Sequence, residues 1–280
     1  MTELYTPGHG ATALSLMARR RAASHAAFFT PELGPGMALL DCGCGPGTIT
    51  LDLARLVAPG PVTGLDAAGG QFAAAAAEAA AAGLAVRFVS GSIYALPFPD
   101  ASFDAVFSHA LLEHLARPAD ALAELRRVLR PGGVIGLRSP DWGGFLIHPL
   151  PPLVREAIRF YQALQSGNGG DAEAGRKLAA WLRAAGFAGI RAGASYEIYE
   201  SPPMIAEYLA ERLDRVEGAD DVPRRLAAAL RDWGWHPDAL FAQAWGEALA
   251  VRLSATPYGW FQVGPAARIG NSRTRTAGAG

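Results

Sequence analysis

Lysine is nearly absent from this chain. Lys177 is the only one among 25 basic residues, and the rest are arginine. Those 25 bases face 26 acids, which leaves a formal net charge of −1 and no one-signed field to attract nucleic acid or an anionic membrane. The arginine bias, beside abundant alanine, reads as coding bias rather than a binding specialisation. Cysteine is scarce as well. Cys42 and Cys44 are too few and too close for a disulfide framework, and a bridge between residues two apart would strain the backbone. The six histidines lack metal-ligand spacing, so no metal site is expected. No run approaches the ~18–20 strongly apolar residues of a membrane span, because Phe72–Val86 is mostly alanine and Glu78 interrupts it. The first residues lack the charged and apolar regions of a signal peptide. Together these absences predict a reducing, cytoplasmic location. Tryptophan is missing from the first half: all six lie from Trp142 onward.

What is present points to a folded protein. Of the 280 residues, 50% are apolar and 18% charged, which argues against disorder and allows one large domain or a core with an elaborate cap. Short apolar runs at 37–42, 62–65, 86–89, 103–108 and 134–138 read as strands. Helical patterns at 48–57, 70–82 and 118–129 separate them. Such alternation over about 100 residues implies right-handed crossovers and a mostly parallel sheet. Beyond Pro140 helices are expected near 153–164, 172–185, 204–216, 223–233 and 237–254, with strands near 190–199 and 258–263.

The most informative segment is Leu39-Leu40-Asp41-Cys42-Gly43-Cys44-Gly45-Pro46-Gly47-Thr48, where a strand meets a helix. Alternating glycines permit a tight turn and close approach of a ligand to the backbone. Asp66 ends the second strand about 20 residues on, where an acid can bind both ribose hydroxyls. A dinucleotide loop runs G-x-G-x-x-G. Here Thr48 stands in place of the third glycine, and Asp41 sets a carboxylate where it would repel a pyrophosphate but hold an amino group. A cationic, phosphate-free nucleoside is favoured over a dinucleotide.

These residues resemble the first motif of the class I S-adenosylmethionine-dependent methyltransferases. Gly64-Leu65-Asp66 resembles the family's second-strand acidic motif, the stretch from Gly91 to Asp104 its approach to the fourth strand, and Leu129-Arg130-Pro131-Gly132-Gly133 the turn before the fifth. The likeness covers roughly residues 37–138 and is nearest to the ubiquinone/menaquinone-biosynthesis C-methyltransferase branch and its small-molecule relatives. It implies an α/β, Rossmann-like fold: a seven-stranded mixed sheet, helices on both faces and a helical cap inserted before the last strand. The implied organisation is an N-terminal lid-helix region at 1–30, a cofactor-binding core at 31–140, the rest of the core with cap insertions at 141–269, and a disordered tail at 270–280. S-adenosylmethionine is the implied cofactor and S-adenosylhomocysteine its product. Contacts are implied for Asp41, Gly43, Cys44, Gly45, Gly47, Thr48, Asp66, Ala67, Gln71, Ser92, Ile93 and Ser108. The family often has Asp where Ser92 stands, so its hydrogen bond to adenine would lack charge assistance.

Candidate chemistry follows the fourth strand, where open α/β sheets bind ligands. His114 occupies a position that family members often fill with histidine near the transferred methyl, and it is expected, with His109, to act as a base or to anchor substrate. Glu113 reads as a solvated or ion-paired residue. Asp141 and Trp142 follow the fifth strand, and Tyr5 precedes a helix able to lie over the cofactor, so all three join His109 and His114 as expected substrate contacts. The aromatic-rich second half suits an apolar or aromatic small molecule such as a secondary metabolite or quinone-like acceptor. Expected partners are therefore a small-molecule substrate, with no nucleic acid and no membrane span, and with a homodimer left open. Competing readings are a nicotinamide-dependent oxidoreductase and a non-catalytic S-adenosylmethionine-binding subunit.

Overall fold

The computed structural model describes residues 5–8, 10–216 and 221–253. Two short helices open it, α1 (Ala11–Ala18) and α2 (Ala22–His25). The alternating core follows as β1 (Leu39–Cys42), α3 (Thr48–Val57), β2 (Val62–Asp66), α4 (Ala73–Ala81), β3 (Val86–Ser90), β4 (Phe103–His109), α5 (Pro118–Val128) and β5 (Leu129–His148). The remainder is α6 (Pro152–Gly167), α7 (Ala174–Ala184), β6 (Ala188–Ile198), α8 (Pro202–Asp214), α9 (Val222–Gly234) and β7 (Leu240–Val251). The strands form one seven-stranded sheet in the order β3-β2-β1-β4-β5-β7-β6. The first five run parallel, while β7 is antiparallel to both neighbours. The sheet is thus mixed, as the motifs imply.

Parallel strands covered on both faces need apolar side chains on both, and every residue of β1 is buried. On one face Leu40, Leu65, Leu122, Leu125, Leu178 and Leu182 pack α5 and α7 against the sheet. On the other, Phe29, Leu39, Leu53, Val57 and Phe107 join α3 to the segment after α2. A third core belongs to the cap, where Val154 and Ile158 of α6 meet Leu209 of α8, Leu230 of α9 and Phe241 of β7. The cap is built from α6 after β5 and from α8–α9 between β6 and β7. No helix among the described residues is long and apolar enough to cross a membrane.

One expectation is overturned. Residues 237–254 read as a helix, yet 240–251 are β7, the strand between β5 and β6. Its sequence, rich in alanine, has high intrinsic helix propensity. Burial of Phe241 through Gly246 on both faces overrides that, and a doubly buried strand shows no alternation that would betray it. The expected strand at 258–263 and the tail at 270–280 lie outside the described residues. β5 is also longer than the 134–138 expected; its extension past Pro140 carries an irregularity between Asp141 and Leu146.

Helix α7 lies on β7 through glycine against glycine. A Cβ on Gly246 would strike the Gly175 backbone, and one on Gly175 would come within 2.7 Å of the Ser139 carbonyl. Gly246→Ala is therefore expected to destabilise the protein by about 2–3 kcal/mol, the usual scale for overpacking. Gly34→Ala, which meets nothing within 4 Å, should be nearly neutral. Denaturant midpoints of the two variants check the contrast.

Candidate functional site

β1 ends where the chain must reverse into α3. Gly43, Gly45 and Gly47 all take left-handed φ, at 77°, 53° and 83°. A Cβ on Gly43 would collide with Leu111 at 2.9 Å, and one on Gly47 with Ala75 and Phe88 at 2.8 Å. Asp66, at the end of β2, holds the turn in place: its Oδ2 accepts from the Gly45 N–H and its Oδ1 from the Ala68 N–H, both at 2.9 Å. The Gly43 and Cys44 N–H groups both donate to the Leu65 carbonyl. Loop and acidic residue are thus one unit.

This unit floors a cavity of about 390 Å³. Asp41, Gly43, Cys44, Gly45 and Thr48 line it from the loop, Asp66, Ala67 and Gln71 from the end of β2, and Ser92 and Ile93 from beyond β3. His109 and His114 line the opposite wall, and Tyr5 covers it. Of the residues expected at the cofactor, Gly47 and Ser108 do not line it: Gly47 turns beneath Ala75 and Phe88, and Ser108 is fully buried in β4, its hydroxyl without a hydrogen-bond partner among the described residues. Gln71 Oε1 is likewise buried without a partner.

A second chamber of about 60 Å³ adjoins the first, and Tyr5, Met17, Arg20, Ala110 and His114 line both. Its aromatic walls are Trp142, Tyr161, Tyr199, Tyr208 and Trp245. Trp142 sits here, as expected of a residue facing the site. Asp141 does not. It lines neither cavity, its carboxylate is gripped by Arg176 through two 2.7 Å bonds, and its Oδ1 caps the Gly143 N–H. The aspartate closes a turn of β5 instead of reaching the cavity.

The N-terminal segment forms the roof. Met17 lines the cavity beside Gly45, where a Cβ would lie 4.0 Å from its sulfur; Thr12 hydrogen-bonds Glu211 of α8, and Asn168 donates to the Thr6 hydroxyl at 3.0 Å. Tyr5 meets His114 edge-on with ring centroids 4.8 Å apart. Ala110, a non-glycine residue at φ 53°, turns the chain sharply after β4 and starts the segment that carries Glu113 and His114.

Burial sets the charge states. It pushes the Asp41 carboxyl up to about 7 although the Thr50 hydroxyl donates to it at 2.6 Å. It lowers His114 to about 3 and holds His109 well below the ordinary histidine range, so both imidazoles are neutral. Glu113 is not solvated: it is 1% exposed, accepts from the Ser139 hydroxyl at 2.9 Å, lies 3.5 Å from His114 Nε2, and is raised by burial to about 7. The pattern of Leu-Leu-Glu-His-Leu gave no sign of this, because a short 3₁₀ turn at Leu112–His114 points Glu113 inward. Arg20 was also missed; among the described residues it makes no ion pair, and within a run of three arginines nothing marks it as the one turned inward. Among the described residues no three of His, Cys, Asp or Glu gather as a metal cluster.

Comparison with known proteins follows this geometry. The family model for a methyltransferase domain matches residues 40–137. The chain is 36% identical over 221 residues to a 37.1 kDa protein of transposon TN4556 from Streptomyces fradiae, covering 78% of this chain and 59% of that one. It is 38% identical over 136 residues to demethylmenaquinone methyltransferase of Thermus thermophilus, covering 47% and 61% respectively. The solved [4+2]-cyclase SpnF shares 27% identity with a TM-score of 0.51, covering 86% of this chain and 80% of its own. The chain spans between about a third and three fifths of the length of these and similar curated relatives. The matched stretch starts inside β1 and ends inside β5, so the whole glycine-loop half of the sheet is similar to a methyltransferase domain.

Proposed function

We propose that this protein transfers a methyl group from S-adenosylmethionine to a small, mainly aromatic or apolar molecule held in the second chamber. The observation that carries this reading is the junction of the two spaces. A nucleoside-sized cavity floored by the glycine loop opens at His114, Tyr5 and Arg20 onto a chamber walled by aromatic rings. The residues present suit the cofactor. Left-handed glycines leave the loop bare, Asp41 offers a carboxyl to the methionine ammonium, and the cationic Arg20 faces the place for its carboxylate. Asp66 keeps lone pairs for the ribose, where the unpartnered Gln71 oxygen also lies, and Ser92 with Ile93 border the adenine end. When bound, S-adenosylmethionine supplies an electrophilic methyl group for in-line displacement by the acceptor. The quinone-type acceptor named for the Thermus relative is of the class that aromatic walls suit.

The chain's part is to orient the acceptor and exclude water. His114 serves as a neutral hydrogen-bond partner at the junction, since burial keeps it from holding a proton near neutrality. Where the acceptor loses a proton, Glu113 is better placed to take it, with its carboxyl raised to about 7 and its side chain on the second chamber. A second reading retains the cofactor and drops the transfer, and the similarity to SpnF, a [4+2]-cyclase, supports it.

Three measurements test these assignments. Calorimetric titration with S-adenosylhomocysteine should give a dissociation constant of about 10 µM or tighter, weakened roughly 10–100-fold in Asp66→Ala as hydrogen bonds to a charged group are lost; no heat at high protein concentration would remove the cofactor reading. With the cofactor bound and a quinol or phenol panel supplied, methylated product supports transfer, whereas cofactor binding without product favours the second reading. In that assay His114→Ala should lose about 100-fold in kcat/KM while His114→Gln, which still offers a hydrogen bond, keeps most of it; equal losses would make His114 a base. The third is a stability comparison. A carboxyl raised in the folded state binds its proton more tightly than the unfolded chain does, so its stabilising effect is full below about pH 4.5 and is lost as pH rises through about 7. The depressed His114 acts in the opposite sense below about 6.5, so the native chain's own profile is partly masked. The difference between Glu113→Gln and the native chain isolates the carboxyl. It should shift in the variant's favour by about 3 kcal/mol between pH 4.5 and 8.

A further inference from the structure

The sheet beneath the N-terminal helices carries polar groups that the fold does not satisfy. Ser195 pairs with Trp245 and Glu197 with Gln243, so Glu197 and Trp245 are diagonal neighbours on one face of β6 and β7, and both line the second chamber. Trp245 is 3% exposed and its indole Nε1–H has no partner among the described residues. Glu197 gives Oε1 to His25 Nε2 at 3.3 Å, while its Oε2 is buried and unpartnered. The Trp245 ring is fixed by the Arg138 guanidinium 4.2 Å from its centroid and by His109 at 4.8 Å. Arg138 is held in turn by Glu247, which also accepts from Ser195 at 2.6 Å. The residues that bear an orphaned donor and an orphaned acceptor thus line one small space on a rigid frame. Each would cost on the order of 1–3 kcal/mol if left unmet.

Resting on the functional reading above, we propose that the second chamber selects acceptors through a neutral hydroxyl on an aromatic ring, which accepts from Trp245 Nε1–H and donates to Glu197 Oε2. Other head groups fail one half of the pair. A carboxylate brings no proton to Glu197, and that side chain stays ionised because the His25 hydrogen bond and the Arg20 and Arg138 charges outweigh its burial. An ammonium has no lone pair for Trp245 and lies near Arg20. An ether or quinone carbonyl accepts but cannot donate. The volume, about 60 Å³, equals roughly four water-sized spheres at ~15 Å³ each, room for one small ring between Trp142, Tyr161 and Tyr199.

The test is calorimetry on the full chain saturated with S-adenosylhomocysteine, using p-cresol, 4-methylanisole, p-toluate and 4-methylbenzylamine as probes. The p-cresol probe should bind at least about 10-fold more tightly than the other three. Glu197→Gln turns an amide N–H toward the hydroxyl, so the p-cresol preference over 4-methylanisole should fall to within about 3-fold or invert. Trp245→Phe keeps a ring and removes the donor, and should weaken both probes about equally. Homocysteine-product binding should be unchanged in both variants, since neither residue lines the cofactor cavity. Equal binding of p-cresol and 4-methylanisole to the native chain, or no binding of any probe, overturns the proposal, the orphaned atoms then being met by water alone. So does an undiminished p-cresol preference in a folded Glu197→Gln. If the adenosyl product itself fails to bind, the cofactor reading falls, and the same titrations on the cofactor-free chain still decide whether the chamber reads a hydroxyl.

Discussion

Everything at the site depends on one backbone constraint: the chain must leave β1 and enter α3 within five residues without putting a side chain into the space between. Three left-handed glycines satisfy it, and non-glycine residues there would each cost about 1–2 kcal/mol before any collision. The collisions are specific, since Leu111 closes over Gly43 while Ala75 and Phe88 close over Gly47. Asp66 then fixes the turn from the neighbouring strand through Gly45 and Ala68. A carboxylate that binds the loop and borders the cavity couples the order of the loop to the order of β2. Disturbing either end loosens the whole floor of the cavity.

The opposite wall is built on a different principle. Buried polar groups are costly unless paired, and this wall buries many: His109, Glu113, Arg138, Ser139 and Gln243 are all 5% exposed or less. Most are paired in short chains, such as Arg138 to Glu247 to Ser195 and Ser139 to Glu113. Several atoms remain unpartnered among the described residues, and those on His109, His114, Gln165, Glu197 and Trp245 belong to residues that line one or both cavities, while Arg138 keeps one free nitrogen behind Trp245. Local rules of folding are broken mainly where a ligand would repair them, which is the expected place for function to override stability.

How much of this the sequence discloses follows from how the two walls are encoded. Gly43, Gly45, Asp66, Gln71, Ser92 and Ile93 come from contiguous motifs at strand ends, so spacing and a family resemblance locate them, and all of them line the cavity. The acceptor wall is assembled from residues 5, 20, 113, 142, 197 and 245, whose proximity exists only after β6 and β7 are registered and the N-terminal segment has crossed the sheet. Reading residues 240–251 as a helix therefore erased that wall: with the wrong periodicity Trp245 and Glu197 cannot be seen as neighbours. Asp141 failed for the converse reason. Its position after the apolar run 134–138 pointed to a ligand contact, but it lies within β5 and Arg176, 35 residues later on α7, claims the carboxylate.

That difference in encoding separates the two tasks mechanically. The loop floor is locked by backbone hydrogen bonds and glycine sterics, which tolerate almost no substitution, and it contacts the cap only indirectly. The chamber is lined by side chains of β6, β7 and the cap helices α6 and α8, whose exchange leaves β1, β2 and the loop untouched. The two meet at Tyr5, Met17, Arg20, Ala110 and His114 alone among the residues that line them. Three of those five sit on the N-terminal segment, which is anchored to the cap through Glu211 and Asn168 and rests on the loop through Met17. The segment and the turn from Ala110 to His114 are consequently the two stretches that line both cavities. A fold arranged in this way can change what it accepts by repacking the chamber while the cofactor floor stays fixed, provided the N-terminal segment keeps its seat on both.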